Sequence, residues 1–338
     1  MAHLEEGSRE WDRFVARSEE GTFCHLAGWR EIMADVLSHQ TRYLVAKDGE
    51  GEWQGVLPLV RVRSRIFGHY LLSMPFMSYG GPLGTSAAQA RLTEDAVEQA
   101  RQWGVDLLEL RARHPVPADL PTSHRKITVL LPLPETTEQL WKGTFKAKLR
   151  SQIRRPMKEG MEARFGADQV GPFYEVFSRH MRDLGTPVLP RRFFEQIART
   201  FADQVIFGAV YLGEQPTAAG CGFLWGDEFE LTWASALREH SRSAPNMLFY
   251  ASCMEEVIRR GGRVFNFGRC TPGAGTHRFK LQWGGVETPL SWAQWSPREI
   301  DATPSPESPL FRIATTGWQR LPLAVANRLG PLLARQLP

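Results

Sequence analysis

The spacing of apolar positions changes several times along this chain, and each change predicts a different element. "HLAGWREIMADVL" repeats its apolar residues at helical spacing, whereas "TRYLVAKDGEGEWQGVLPLVRV" holds two strand-like runs around a glycine-rich, charged turn. "MPFMSYGGPLG" follows as a turn-rich loop. "TEDAVEQARQWGVDLLELR" predicts a helix closing near Gly104 and a buried strand from Val105 to Arg111. The same order returns later. "VIFGAVYLGEQPTAAGCGFLWGDEFELTWAS" predicts strands around a turn, and "NMLFYASCMEEVIRRGGRVFNFGR" predicts a helix, Gly261 and a strand. Aligning Gly104 with Gly261 sets Leu107, Leu108 and Leu110 over Val264, Phe265 and Phe267. Two copies of one α/β unit account for this, with chance repetition of a common helix–glycine–strand order as the competing reading.

Proline-bearing "LLPLPETTEQL" marks the join between the copies. The expected domains are residues 1–133 and 134–296, followed by a proline-rich linker and basic apolar tail over 297–338. "SPREIDATPSPESP" cannot continue a sheet or a helix. Beyond it the tail carries Arg312, Arg320, Arg328 and Arg335 and no acid, which suits either a membrane surface or docking back onto the body. Pro322 and Pro331 are expected to interrupt any long helix there.

Composition narrows the classes. The 338 residues, 42% hydrophobic and 23% charged, are those of a globular chain long enough for two cores. A net charge of +4 is too mild to imply nucleic acid, but its distribution is uneven. Between Trp141 and Arg164 eight cations face two acids, 8 minus 2 giving a local +6, which favours an anionic partner or makes a solvated helix face. Cys24, Cys221, Cys253 and Cys270 form no C-x-x-C and no histidine pairing at metal spacing, so neither a zinc site nor a disulfide framework is expected. Free thiols fit a reducing cytoplasm. The acidic start lacks the apolar segment of a secretory signal, and no apolar run approaches the roughly 18 to 20 residues of a membrane span. The expected location is cytoplasmic, with peripheral contact at the inner membrane through the tail.

Candidate chemistry concentrates in two stretches. "FNFGRCTPGAGTHRFKLQWGG" has the glycine spacing of a phosphate loop, yet Ala274 and Gly275 stand where lysine and a hydroxyl residue would be needed, so it is not one. Phe265 and Phe267 alternate with Asn266 as on a strand with one buried face, which puts Gly268 and Arg269 at its C-terminal end, where α/β folds bind ligands. Gly273 helps turn the chain. Lys280 follows on what reads as an aromatic-rich strand, so Arg269 and Lys280 would converge on an anion. His277 and Cys270 suggest a nucleophile pair but lack a third orienting group. In "ASALREHSRSAPNMLFY", a strand delivers Trp233, a turn carries Arg238 and Arg242, and Asn246 is the expected N-cap of the next helix.

These stretches, with "KAKLRSQIRRPMKEG" and "FCHLAGWREIMA", resemble the FemAB family of peptidyl and acyl transferases from about residue 20 to about residue 296. The proline-rich linker and the tail further resemble a subgroup associated with exosortase and PEP-CTERM protein sorting and exopolysaccharide production. The resemblance implies an α/β (α+β) fold of two tandem GNAT-like acyltransferase domains, each a mixed sheet flanked by helices. It also implies transfer of an acyl or aminoacyl group, without a metal, onto an amine of a cell-envelope, exopolysaccharide or peptidoglycan-type acceptor, small or lipid-linked. By the same resemblance Lys280, behind Phe279, binds the acceptor, and Arg150, Arg154 and Arg155 are the basic signature. Two departures leave the donor open between acyl-CoA and aminoacyl-tRNA. No long coiled-coil insertion is present, and the Q/R-x-x-G-x-G/A pyrophosphate signature is missing. With no evident carboxylate pair or catalytic triad, positioning is the expected catalytic device. Arg269 and Lys280 would hold the acceptor, the loop Arg238–Asn246 the donor, and Tyr79 or His277 would move a proton. Trp283, with Trp292 and Trp295, would suit stacking on a sugar, with packing in the core as the competing reading for most of the eleven tryptophans. A non-catalytic alternative has the basic helix over 142–164 gripping RNA, or the chain serving as a membrane-peripheral scaffold.

Overall fold

The computed structural model describes residues 2–64, 67–297 and 315–337, so the proline-rich stretch 298–314 lies outside the described residues. The chain forms two units. The first is built from the stretch up to Lys126, the stretch from Pro289 and the last residues from Leu332; the second comprises Ile127–Thr288 and the tail up to Pro331.

In the first unit, strands β1 (Gln40–Lys47), β2 (Trp53–Ser64), β3 (Gly68–Leu72), β4 (Leu83–Gly84), β5 (Leu107–Ala112) and β6 (Thr122–Ser123) are joined by a late strand, β14 (Ser291–Trp295). They lie in the order β1-β2-β3-β5-β14-β6, with β4 on β2. Strands β3 and β5 are parallel, and the helix Ser86–Trp103 makes the crossover such a pair requires. Thr85 caps that helix by accepting from the Ala88 amide, and Gly104 ends it at φ 59. Leu92, Ala96 and Ala100, four residues apart, pack on Leu57, Leu59, Leu71, Leu108 and Leu110.

The second unit repeats the plan. Strands β7 (Ile127–Pro132), β8 (Met161–Phe165), β9 (Val205–Leu212), β10 (Gln215–Trp225), β11 (Glu228–Ala236), β12 (Val264–Asn266) and β13 (Val286–Pro289) lie in the order β13-β7-β12-β11-β10-β9-β8. Here β11 and β12 are parallel, the helix Pro245–Arg259 is the crossover, and Gly261 at φ 89 turns into β12. Helices Val170–Leu184 and Pro245–Arg259 both pack on β10, and β9 and β10 are buried almost end to end, as strands covered on both faces must be. Phe145, Tyr250, Phe265, Phe267 and Trp283 form one ring cluster, with centroids 4.9 to 6.4 Å apart.

One expectation for the tail fails, since Pro331 does not interrupt its helix. A helix spans Leu323–Ala334 with Pro331 inside it, at the cost of one backbone hydrogen bond. Asn327 donates to the Ser178 hydroxyl at 3.4 Å and Arg182 to the Leu321 carbonyl at 3.2 Å, so this part of the tail docks on the second unit. No helix among the described residues is long and apolar enough to cross a membrane.

Candidate functional site

Parallel strands β11 and β12 pair over only three rungs, the last being Glu230 with Asn266. Beyond it β11 stays with β10 as far as Ala236, while the chain after β12 follows β7 through Phe267 N–H to the Val129 carbonyl and the reciprocal bonds of Cys270 with Ile127. The sheet therefore opens at the C-terminal ends of two parallel strands, which is where open α/β sheets take ligands.

Asn266 sets this opening. The alternation of Phe265 and Phe267 suggested one buried face, but all three residues are buried, because the strand lies inside the unit. The Asn266 carbonyl oxygen accepts from the Gly268 amide at 2.9 Å and the Thr128 hydroxyl at 2.5 Å, and its amide donates to Glu228 at 2.8 Å. Gly268 turns the chain at φ 70, and a Cβ there would stand 2.7 Å from the Leu231 carbonyl oxygen. Both conditions demand glycine.

Lys280 reaches the same turn. Its predicted strand is a helix, Gly275–Leu281, because Gly273 at φ 77 turns the chain and the buried positions fall three apart, at His277 and Lys280. Lys280 Nζ donates to the Gly268 carbonyl at 2.6 Å and to that of Arg269 at 3.0 Å. The side chain is 7% exposed, and burial first, then the Arg269 guanidinium, pushes its pKa down to about 8 against the pull of Cys270 and buried Glu230. An ammonium has three donors, so one remains for a ligand. His277 has the orienting group the sequence did not reveal. Its Nδ1 accepts the Gly273 amide at 3.0 Å, which assigns the proton to Nε2, 3.0 Å from Glu287. Both ring nitrogens are thus engaged.

The family model for the Acetyltransferase (GNAT) domain matches residues 144–281, which contain this opening. The chain superposes on the crystal structure of FemX with a TM-score of 0.62 at 14% identity, over 84% of this chain and 95% of that one. A C-terminal domain (DUF2156) assigned to a lysylphosphatidylglycerol synthetase from Agrobacterium fabrum gives 0.58 at 14% identity, over 93% and 96%. L-PGS from Bacillus licheniformis gives 0.55 at 11% identity, over 93% and 97%. The fold is a FemAB-like tandem of GNAT-like domains. No curated protein sequence matches the chain.

In the matched GNAT domain the loop after β11 turns through Arg238–His240, and Arg238 and Arg242 are exposed with no carboxylate partner among the described residues. Asn246 is not the cap. Ala244, left-handed at φ 55, holds that position because Pro245 occupies the first helical place, where its missing N–H costs nothing, and Asn246 falls inside the first turn. Trp233 is half-buried, edge-on to Phe193, Phe194 and Phe223. Trp283, expected as a stacking face, is 1% exposed and belongs to the core; Phe279 leans on Tyr250 and on it. Of the basic signature on the helix Ala147–Lys158, Arg150 turns inward to the Phe145 carbonyl at 2.5 Å and the Trp141 carbonyl at 3.3 Å. Arg154 lies over the Trp141 ring at 5.8 Å, and Arg155 stands 3.7 Å from Glu159. Both are exposed.

Tyr79, Trp292 and Trp295 belong to the first unit. Tyr79 is buried under the Arg113 guanidinium, 4.8 Å from its ring, on a cavity of about 310 Å³ shared with His25 and Arg111. His25 accepts the Thr22 amide at Nδ1 and donates from Nε2 to the Gly81 carbonyl, and burial pushes its pKa down to about 4. Sequence reasoning missed Asn266, Glu230 and Glu287. A polar residue between two phenylalanines was the available signal for Asn266; no local pattern marked Glu287.

Proposed function

We propose that the chain transfers an acyl or aminoacyl group onto an amine of a cell-envelope, exopolysaccharide or peptidoglycan-type acceptor, in the cytoplasm at the inner face of the membrane. The observation that carries this is the opening of β11 from β12 inside a GNAT domain, with Lys280 gripping the turn at its root. Aminoacyl transfer is further supported by the likeness in fold to FemX and to the domain assigned to a lysylphosphatidylglycerol synthetase. The exosortase association suggested by the tail belongs to the same proposal.

In this reading the acceptor amine attacks the acyl carbonyl, a tetrahedral oxyanion forms, and a thiolate or a tRNA hydroxyl leaves while the nitrogen loses a proton. Lys280 and Arg269 hold an anionic group of the acceptor, and Lys280 also fixes two backbone carbonyls that shape its seat. Arg238, Arg242, Arg154 and Arg155 are the exposed cations for the phosphates of acyl-CoA or aminoacyl-tRNA. His277 relays the proton, which requires its bond to the Gly273 amide or to Glu287 to break. Positioning in such a site supplies about 7 to 11 kcal/mol of the barrier in favourable cases.

The test is transfer by the purified chain from acyl-CoAs and aminoacyl-tRNAs to amine-bearing envelope precursors, with Lys280→Ala and Lys280→Arg beside it. Loss of transfer in Lys280→Ala with the fold retained supports the reading. Equal turnover in all three refutes the role of Lys280. Absence of transfer from either donor class, with tight, salt-sensitive RNA binding that ignores residue 280, refutes the enzyme and leaves the basic helix as the functional part.

A further inference from the structure

The first unit holds a feature that acyl transfer leaves unused, a cleft of about 680 Å³ where the turn Leu37–Gln40, β2 and the end of the tail come together. Arg61, Arg63 and Arg335 line it, and no carboxylate does. Cations gathered in a concavity without acids repel one another and hold the local potential positive, a cost that an anion removes.

Arg61 is fixed in place. Its Nε–H donates to His69 Nε2 at 2.8 Å, Nη1 to the Gln40 side-chain oxygen at 3.0 Å and Nη2 to the Trp103 carbonyl at 3.4 Å, with the guanidinium 4.6 Å from the Trp103 ring centre. His69 therefore carries its own proton on Nδ1. Two of the five Arg61 N–H groups remain. Arg63 and Arg335 are exposed and make no ion pair among the described residues.

His39 supplies an independent mark. The residue is 8% exposed, and its Nε2 is buried with no hydrogen-bond partner. Burial first, then the Arg335 charge, pushes its pKa down to about 4, so the ring is neutral. Buried polar atoms are satisfied in the great majority of cases, and this one lines a cationic cleft.

We propose that the cleft formed by His39, Arg61, Arg63 and Arg335 binds a phosphate group, carried either by a small molecule or by a lipid headgroup. Three converging cations and a ring nitrogen suit a multiply charged tetrahedral anion better than a planar carboxylate, and guanidinium forks match phosphate oxygens. The inference is independent of the transferase reading, since it rests on first-unit side chains and needs no turnover.

The experiment uses the whole chain in low-salt, phosphate-free buffer. Inorganic phosphate is titrated while the His39 ring nitrogens are followed by long-range proton–nitrogen spectra, assigned with His39→Gln. In parallel, sedimentation with vesicles of phosphatidylcholine, with and without phosphatidylglycerol, reads the lipid arm. The double variant Arg63→Gln/Arg335→Gln changes two exposed residues. Phosphate is expected to move the Nε2 signal, and the double variant to weaken binding at least tenfold, the factor one charge-assisted contact carries. Binding to phosphatidylglycerol vesicles that the double variant loses, with inorganic phosphate leaving His39 unmoved, assigns a lipid headgroup and also supports the site. A His39 signal unmoved by phosphate together with no sedimentation on phosphatidylglycerol vesicles, or binding equal in wild type and double variant, overturns it.

Discussion

Replacing Lys280 with methionine probes the site through stability as well as turnover. In the folded chain the amine titrates near 8, against an ordinary value of 10.5. Between those values the unfolded chain holds a proton that the folded one has released, so stability rises with pH across that window. The contribution is complete above about pH 10.5 and is lost as pH falls through about 8. At ~1.36 kcal/mol per pH unit the difference amounts to about 3 kcal/mol. Methionine keeps most of the volume and has no proton to lose. Unfolding of wild type and Lys280→Met by urea, at steps from pH 7 to 10.5, isolates the effect, because all other titrations are common to both. The wild-type advantage should climb by about 3 kcal/mol over that range. Lys280→Met should lack transfer activity throughout, and wild-type activity should fall as pH passes 8, where the amine loses the proton an anion needs. A stability difference that stays flat with pH would refute the burial of a charged amine at this position.

Other changes test neighbouring steps. Gly268→Ala places a Cβ 2.7 Å from a carbonyl oxygen at φ 70, whereas Gly213→Ala meets nothing within 4 Å at φ 61. Both incur the left-handed penalty of about 1–2 kcal/mol, and chemical denaturation should show a clear further loss for Gly268 alone. Asn266→Ala leaves the buried Gly268 amide without its acceptor, and a loss of about 1–3 kcal/mol in the same measurement is expected. Arg154→Gln/Arg155→Gln distinguishes the donors. If tRNA is bound there, the slope of log affinity against log salt should drop by roughly 1.4 to 1.8, at 0.7 to 0.9 per charge removed, while acyl-CoA affinity measured by calorimetry stays within a small factor.

The two-fold plan was legible because it is written in local signals. Glycines ending crossover helices at Gly104 and Gly261, and apolar runs after them, act within a few residues. Partners distant in sequence were not legible. Glu287 meets His277 across a turn, and Thr128 meets Asn266 from a strand 138 residues away in sequence; no periodicity carries such pairings. The strand assigned to Lys280 was misread for a physical reason. "HRFKL" alternates polar and apolar residues, but burial of His277 and Lys280 at helical spacing overrides that alternation, and a buried lysine is the last residue a pattern would place inside. Trp283, offered as a stacking face for its place beside the proposed crevice, is in the core.

The two units also differ at the strand end where we propose the chemistry. In the first, the parallel pair β3–β5 likewise has three rungs, ending at Leu72 with Glu109. There the next rung is stitched shut. Ser73 donates its amide to the Glu109 carbonyl at 3.0 Å and accepts the Arg111 amide on its hydroxyl at 2.9 Å, and Gly81 adds a bond to the Arg111 carbonyl at 2.7 Å. Arg111 then ties the following loop through the Met74 and Met77 carbonyls while paired with Glu109 at 2.8 Å and lying over Trp292. A buried cation thus serves at both strand ends, but to different effect. Guanidinium, planar and always charged, is tied to a carboxylate and two carbonyls in the first unit. The second has an amine with a donor to spare, a pKa near neutrality and an unpaired β11 edge beside it. One scaffold, bridged by side chains at one copy and splayed at the other, supports the second as the strand end proposed for the substrate.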